Sequence, residues 1–145
     1  MLYAKPLWKY AIDVYSENKA EFLHYQDQDQ LCVNDLIVLG FCYRLSLAPN
    51  DRWWAAENAL YLRDIIVHLR RLRNQPTNAN TRKIILNTEL ECEKVDLQYI
   101  ASQLRPHQNW TLLFNQYCEA HYVHNKRLLE QFIQNLGNKK GAEAP

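Results

Sequence analysis

Arginine and glutamate crowd the middle of the sequence, where they could form ion pairs or bind an anion. Residues 51–83 carry an excess of positive charge, and residues 84–98 carry an excess of negative charge. If these segments form an antiparallel helical hairpin, Arg63 would lie near Glu93, which sits within an apolar stripe. An unpaired carboxylate there would be costly, so an arginine partner is expected. Structural ion pairs across the hairpin are therefore expected among Arg63, Arg70, Glu89 and Glu93.

More cations lie near the turn of this hairpin than the nearby carboxylates can neutralise. The cations that are not neutralised could form a patch that binds an anion or nucleic acid. Trp53, next to Arg52, lies either under the preceding loop or on the surface. In the second case it would anchor a protein partner, because Trp and Arg dominate binding hot spots. The possible binding surface comprises Arg52, Trp53, Arg71, Arg73, Arg82 and Lys83.

Residues able to bind metal or transfer protons are few and scattered. Glu21 and His24 form one Glu-x-x-His unit, whereas a di-iron bundle needs two such units and two further glutamates. Cys118, His121 and His124 follow one another at three-residue steps, which drift about 120° around a helix and do not converge on one ion. We therefore expect no catalytic, cofactor-binding or metal-binding residues. An enzyme would instead need an internal pocket holding two or more of Glu21, His24, Glu93, His121 and His124.

The composition excludes several classes of protein. Three glycines in 145 residues leave little backbone for a glycine-rich nucleotide loop. A net charge of +1 argues against binding driven by overall attraction to nucleic acid or to acidic membranes. The four cysteines are widely spaced and are expected to be reduced thiols. With no signal peptide and no apolar run long enough to cross a bilayer, a cytoplasmic protein without a membrane partner is expected.

Prolines divide the chain into segments with helical periodicity, and hairpin signals typical of strands are missing. The sequence predicts an all-α, single-domain bundle of five or six helices over residues 1–137, followed by a disordered tail over 138–145. The expected helices cover about 7–15, 20–26, 35–47, 52–74, 81–104 and 109–136.

Several details of these helices can be predicted. The helix from residue 35 is apolar on nearly every side and should be central, with Gly40 allowing a close neighbour. Asp51 should cap the next helix, and Gly137 should end the last one as a C′ glycine. The core face of the helix over 52–74 is expected to comprise Trp54, Tyr61, Leu62, Ile65, Leu69 and Leu72. One of the two apolar faces of the helix over 81–104 comprises Leu86, Leu90, Leu97, Ile100 and Leu104.

The order of several short patterns resembles a family of small gammaproteobacterial proteins, domain of unknown function 2390. The resemblance spans about residues 7–135 and is carried by Leu7-Trp8, Tyr10-Ala11, Tyr15, Val33-Asn34-Asp35-Leu36, Leu69-Arg70-x-x-Arg73 and Glu89-Leu90-Glu91-x-Glu93. It implies an all-helical cytoplasmic protein with no established activity. Family members are often encoded beside an ATP-binding cassette protein of the translation-factor type, which implies a ribosome-linked role. Glu17-Asn18-Lys19 replaces the family's Pro-Gly break, so the first two helices should be more nearly continuous here.

These observations favour a non-enzymatic cytoplasmic protein that acts through protein contacts, as a regulator or an adaptor, with no cofactor. The first alternative is a nucleic-acid or ribosome-associated module that uses Arg71, Arg73, Arg82 and Lys83. The second is an enzyme with its site inside the bundle. The sequence leaves open the identity of the protein partner and the oligomeric state.

Overall fold

The computed structural model describes residues 2–138, and within that range the chain forms seven α-helices. The all-α prediction is confirmed, but the helix count exceeds the expected five or six. The helices are α1 (Ala4–Glu17), α2 (Lys19–Gln28), α3 (Val33–Leu45), α4 (Glu57–Arg73), α5 (Ala79–Ala101), α6 (Trp110–His121) and α7 (Lys126–Gly137). The predicted disordered tail lies outside the described residues except for Asn138.

Two short strands supplement the helices. Leu47–Ala48 forms β1 and Arg105–Pro106 forms β2, and the two pair antiparallel. No helix in residues 2–138 combines the length and apolarity that spanning a membrane requires.

The extra helix arises because the predicted last helix, over 109–136, is broken near Tyr122. This residue adopts a left-handed conformation, with φ of 52°, and ends α6. Asn125 then caps α7, since its side chain accepts a hydrogen bond from the backbone N–H of Leu128 at 3.1 Å. The break turns α7 back toward α3.

The start of α4 also differs from the prediction. Asp51 does not cap a helix from Arg52, because Arg52 is itself left-handed, with φ of 56°, and a single 3₁₀ turn over Trp53–Ala55 follows. The α-helix begins only at Glu57. This turn directs Trp53 into the interior, where 1% of its surface is exposed. The hypothesis that Trp53 anchors a partner from the surface is therefore wrong.

The central helix is α3, as its apolar sequence predicts. Its residues 34–42 are all buried, and it packs against α1, α2, α5, α6 and α7. At Gly40 it comes close to both α1 and α7. A methyl group on Gly40 would lie 2.5 Å from the Tyr10 hydroxyl and 3.2 Å from the Leu136 Cβ, which confirms the prediction that Gly40 admits a close neighbour.

Gly137 has a different role from the one predicted. It is the last residue of α7 and Asn138 follows as the C-cap, so Gly137 is not a C′ glycine. A methyl group on Gly137 would lie 2.7 Å from the backbone oxygen of Gly40. The two glycines therefore allow the backbones of α3 and α7 to meet directly.

Candidate interaction face on the hairpin of α4 and α5

The side of α4 that faces the protein is lined by arginine. Arg63, Arg70 and Arg73 share this side because they lie within about 80° of one another around the helix. The buried apolar residues that α4 contributes are small in number, namely Ala59 and Ile66. The interior side of α4 therefore combines ion pairs with a small number of apolar contacts.

Arg63 reaches the most deeply buried carboxylate of the bundle. Its Nη2 lies 2.8 Å from Oδ1 of Asp35, and its Nη1 donates to Oδ2 at 3.3 Å. The Trp53 indole N–H and the Tyr117 hydroxyl also donate to this carboxylate, each at 3.1 Å. Arg63 Nη2 further lies 3.3 Å from Oδ2 of Asp96. Asp35 is fully buried and accepts four hydrogen bonds, so its charge is compensated from three directions.

This arrangement corrects the expected partner of Arg63. The structure places it against Asp96, one helical turn beyond Glu93 on α5, and against Asp35 on α3. Asp35 lies outside the two arms of the hairpin, which were the only segments compared. Asp96 lies in the second arm, but the assumed pairing of the arms was off by one helical turn. A signal was present, because Asp35 opens an otherwise apolar helix and a buried carboxylate requires a partner.

Asp96 has a second partner besides Arg63. The amide of Asn34 donates to its Oδ2 at 2.9 Å. Burial raises the pKa of Asp96, while Arg63 and this amide act in the opposite direction. The cluster therefore joins α3, α4 and α5 through hydrogen-bonded polar groups.

The remaining predicted residues form a second ion cluster nearer the turn. Glu89 is buried and lies 3.3 Å from Nε of Arg70 and 2.8 Å from Nε of Arg73. Nη2 of Arg70 lies 3.8 Å from Glu93. The structure thus brings Arg70, Glu89 and Glu93 together and adds Arg73, which sequence reasoning had assigned to the binding surface.

Glu93 should make stability dependent on pH. Burial, followed by the nearby Glu89, raises its pKa to about 7 against an opposing effect of Arg70 and Arg73. The folded protein holds this proton more tightly than the unfolded chain, so the associated stability is present below about pH 4.5 and lost as pH rises through about 7.

Glu93→Gln is expected to stabilise the protein above pH 7 by about 1 kcal/mol or more, because it removes a half-buried charge that lies near Glu89. It should also flatten the dependence of stability on pH. Urea unfolding on either side of pH 7 measures both effects, with Glu91→Gln as the exposed control. A Glu93→Gln profile as steep as that of the unchanged protein would contradict the prediction.

The opposite side of α4 is apolar and faces solvent. Tyr61, Ile65 and Leu72 lie about 140 to 180° around the helix from Arg70. Tyr61 is 65% exposed and Ile65 is 48% exposed. These three residues were predicted to face the core, and that prediction is wrong. Periodicity identifies an apolar stripe, but the buried arginines on the other side of α4 determine which way the stripe points.

A matching stripe lies on α5. Ile84 and Val95 lie about 140 to 160° around α5 from the buried Leu97, so they point away from α1 and α3. Ile84 is 66% exposed. Leu86 and Leu90 also retain exposed surface, contrary to the prediction that they belong to the core, because they lie on the part of α5 near the turn.

We call Tyr61, Ile65, Leu72, Ile84 and Val95 the outer face. Of the fourteen large apolar side chains exposed among the described residues, nine belong to α4 and α5. Single exposed apolar residues need no explanation, but their concentration on one hairpin makes the outer face a candidate interaction surface.

The positive charges near the turn divide into two groups. Arg73 is bound to Glu89, whereas Arg71, Arg82 and Lys83 are exposed and form no ion pair with any acid among residues 2–138. We call these three the tip cations. Arg82 Nε donates to the backbone oxygen of Arg73 at 3.2 Å, which holds it beside the end of α4. Arg52 precedes the other end of α4 and is separate from them.

Two clefts open elsewhere on the protein. One, of about 580 Å³, lies between the end of α2 and the connection from α6 to α7 and brings together His24, His121 and His124. Glu21 and Glu93 do not line it. In the part of the chain that the structure describes, no three His, Cys, Asp or Glu residues are arranged to hold a metal ion. The second cleft, of about 480 Å³, is lined by residues that include Arg52, Trp53, Tyr99 and Gln103.

The comparison with known proteins assigns a family. A family model described as protein of unknown function (DUF2390) matches residues 6–100, which include the ion-paired residues of α3, α4 and α5 and the outer face. No curated protein and no solved structure is significantly similar to the chain. The chain belongs to the DUF2390 family of proteins of unknown function.

Proposed function

We propose that this protein is a non-enzymatic binding module that recognises another protein through the outer face, acting as an adaptor or a regulator. The observation that carries the proposal is the inverted orientation of α4. A surface helix normally buries its apolar stripe and exposes its charges. Here the arginines point inward and Tyr61, Ile65 and Leu72 point outward. An apolar stripe in this orientation gains free energy only when another molecule covers it.

The size of that gain indicates what else the partner must provide. Covering one half-exposed large apolar side chain contributes about 1 kcal/mol, so the five residues of the outer face contribute about 5 kcal/mol. Association costs about 4 to 15 kcal/mol in lost translational and rotational freedom. The outer face alone therefore supports only weak binding, and the charged residues beside it must contribute.

We place this binding module in the bacterial cytoplasm. The resemblance to gammaproteobacterial proteins supports a bacterial source. The four cysteines are free thiols, two of them buried, which suits a reducing compartment.

A photo-crosslinking residue placed at position 65 tests the proposal in the native cell. We expect a defined crosslinked product, because Ile65 is at the middle of the outer face. The same residue at position 27, an exposed polar site on α2, is the control and should give no such product. Failure to crosslink from positions 65, 72 and 84 would contradict the proposal.

A nucleic-acid or ribosome-associated function is the second candidate, and the tip cations favour it. Three exposed cations without an acidic partner could contact phosphates, and each contact would make binding weaker as salt increases. The adjoining Leu72 and Ile84 suit a protein better, because a phosphate backbone offers no apolar surface to cover them. Titration with RNA at two salt concentrations separates the two functions, since only nucleic-acid binding would show the salt dependence and be lost in Arg71→Ala with Arg82→Ala.

A further inference from the structure

We infer that the outer face is covered by a second copy of this chain, related to the first by a twofold axis that sets the two α4 helices antiparallel. The inference rests on the proposed function, since it names the partner that the outer face binds. It is carried by the way charge is distributed along α4.

The exposed flank of α4 changes sign along its length. Glu57, Asp64 and Arg71 follow one another at seven-residue spacing, so all three lie along one line beside the outer face. All three are exposed, and none forms an ion pair with another residue of the range 2–138. The acids occupy the first half of the helix and the arginine lies near its end.

A second copy complements this pattern in only one direction. When two α4 helices run antiparallel with Arg71 opposite Glu57, Arg71 of each copy pairs with Glu57 of the other. These two attractions outweigh the one repulsion between the two Asp64 carboxylates, which meet at the axis. When they run parallel, the twofold axis lies along the helices and places the two charged flanks on opposite sides of the contact, so the flanks do not pair. A twofold axis forms this pairing twice, because both copies use the same surface: Arg71 of the first contacts Glu57 of the second, and Glu57 of the first contacts Arg71 of the second.

The same axis brings the apolar residues together. Placing Arg71 opposite Glu57 sets the axis at the level of residues 64 and 65, so Ile65 meets its equivalent in the other copy. The ion pair of Arg63 with Asp96 sets Val95 of α5 at the same height as Ile65. The two hairpins would thus bury their outer faces against each other as a four-helix contact with charged flanks.

The mass of the purified full chain in solution tests this inference. Sedimentation across about 1 to 200 µM should show a concentration-dependent rise toward twice the 17.3 kDa chain mass. Ile65→Glu should abolish the rise, because it places a charge on the axis. Ile12→Glu is the matched control, since Ile12 on α1 is 51% exposed and Ile65 is 48% exposed. This control should leave the dimer intact.

A charge swap identifies the antiparallel pairing. Arg71→Glu alone should weaken the dimer about tenfold, since it replaces two attractions by two repulsions. Combining it with Glu57→Arg and Asp64→Arg reverses the pattern and should restore the original dissociation constant to within about threefold. Circular dichroism checks that each variant keeps its helical content. A swap that does not restore the dimer overturns the antiparallel arrangement.

The outcomes separate this inference from the proposed function. A protein that stays monomeric, but crosslinks from position 65 to a different protein, overturns the inference and leaves the proposed function standing. A monomer that yields no crosslink overturns both. A dimer that survives Ile65→Glu uses another surface and overturns the inference.

Discussion

Asp35→Ala is expected to lower the free energy of unfolding by about 3 to 5 kcal/mol, because it removes the acceptor at the centre of the buried ion cluster. Arg63 would keep only Asp96 as a partner, and the Trp53 indole and the Tyr117 hydroxyl would each lose their acceptor. Leaving a buried donor unsatisfied costs the full desolvation of that group. Domains of this kind are stable by about 5 to 15 kcal/mol, so the variant is expected to be close to unfolding.

Urea unfolding followed by circular dichroism measures this effect. The midpoint should fall while the slope stays constant, which shows that stability changed and the exposed surface did not. Asp27→Ala removes an exposed acid from α2 and should change stability by less than about 0.5 kcal/mol. A loss in Asp35→Ala no larger than that of this control would refute the assigned role of the cluster.

The second large effect is expected at Gly137. Gly137→Ala should destabilise the protein by about 1 to 3 kcal/mol, because the added methyl group would lie 2.7 Å from the Gly40 backbone oxygen and 2.8 Å from the Tyr43 ring. A backbone oxygen cannot rotate away as a flexible side chain can, so α7 must move from α3. Helix propensity alone would favour alanine over glycine, and the predicted sign is therefore opposite to that of a surface glycine.

Thermal unfolding of Gly137→Ala and of a matched variant measures the cost of this contact. Gln131→Ala changes an exposed position of the same helix and should leave the melting temperature nearly unchanged. A melting temperature of Gly137→Ala equal to or above that of the unchanged protein would show that the two helices are not in tight contact.

The parts of the fold that follow from local sequence were predictable. The central position of α3 follows from its apolar residues on every side, because no other location could bury them. The polar loop containing Pro76 predicted the hairpin of α4 and α5, and charge in its two arms predicted that arginines and glutamates would meet.

The rest depends on contacts that span long stretches of sequence. The partners of Arg63 could not be found from the hairpin alone. Asp35 lies on α3, and the actual pairing of the two arms is shifted by one helical turn from the predicted pairing, from Glu93 to Asp96. The apolar stripe of α4 does not reveal whether it meets the core or solvent. The break at Tyr122 involves no glycine or proline, the residues that usually indicate the end of a helix. The division of the last helix into α6 and α7 could therefore not be predicted either.

The orientation of α4 follows from this same long-range ion cluster. Asp35 on α3, together with Asp96 and Glu89 on α5, binds the arginine side of α4 in the interior, which leaves the apolar side for the outer face. Of these acids Asp35 lies 28 residues from Arg63 in the sequence, so the pattern of α4 alone does not reveal its orientation.

The contacts of Tyr117 with Asp35 and of Gly137 with Gly40 have an evolutionary consequence. The family match covers residues 6–100, so in each of these contacts one partner lies within the matched segment and the other beyond it. The helices α6 and α7 therefore complete the core that the matched residues begin, so substitutions at Gly40 and Gly137 should be correlated among relatives of this chain.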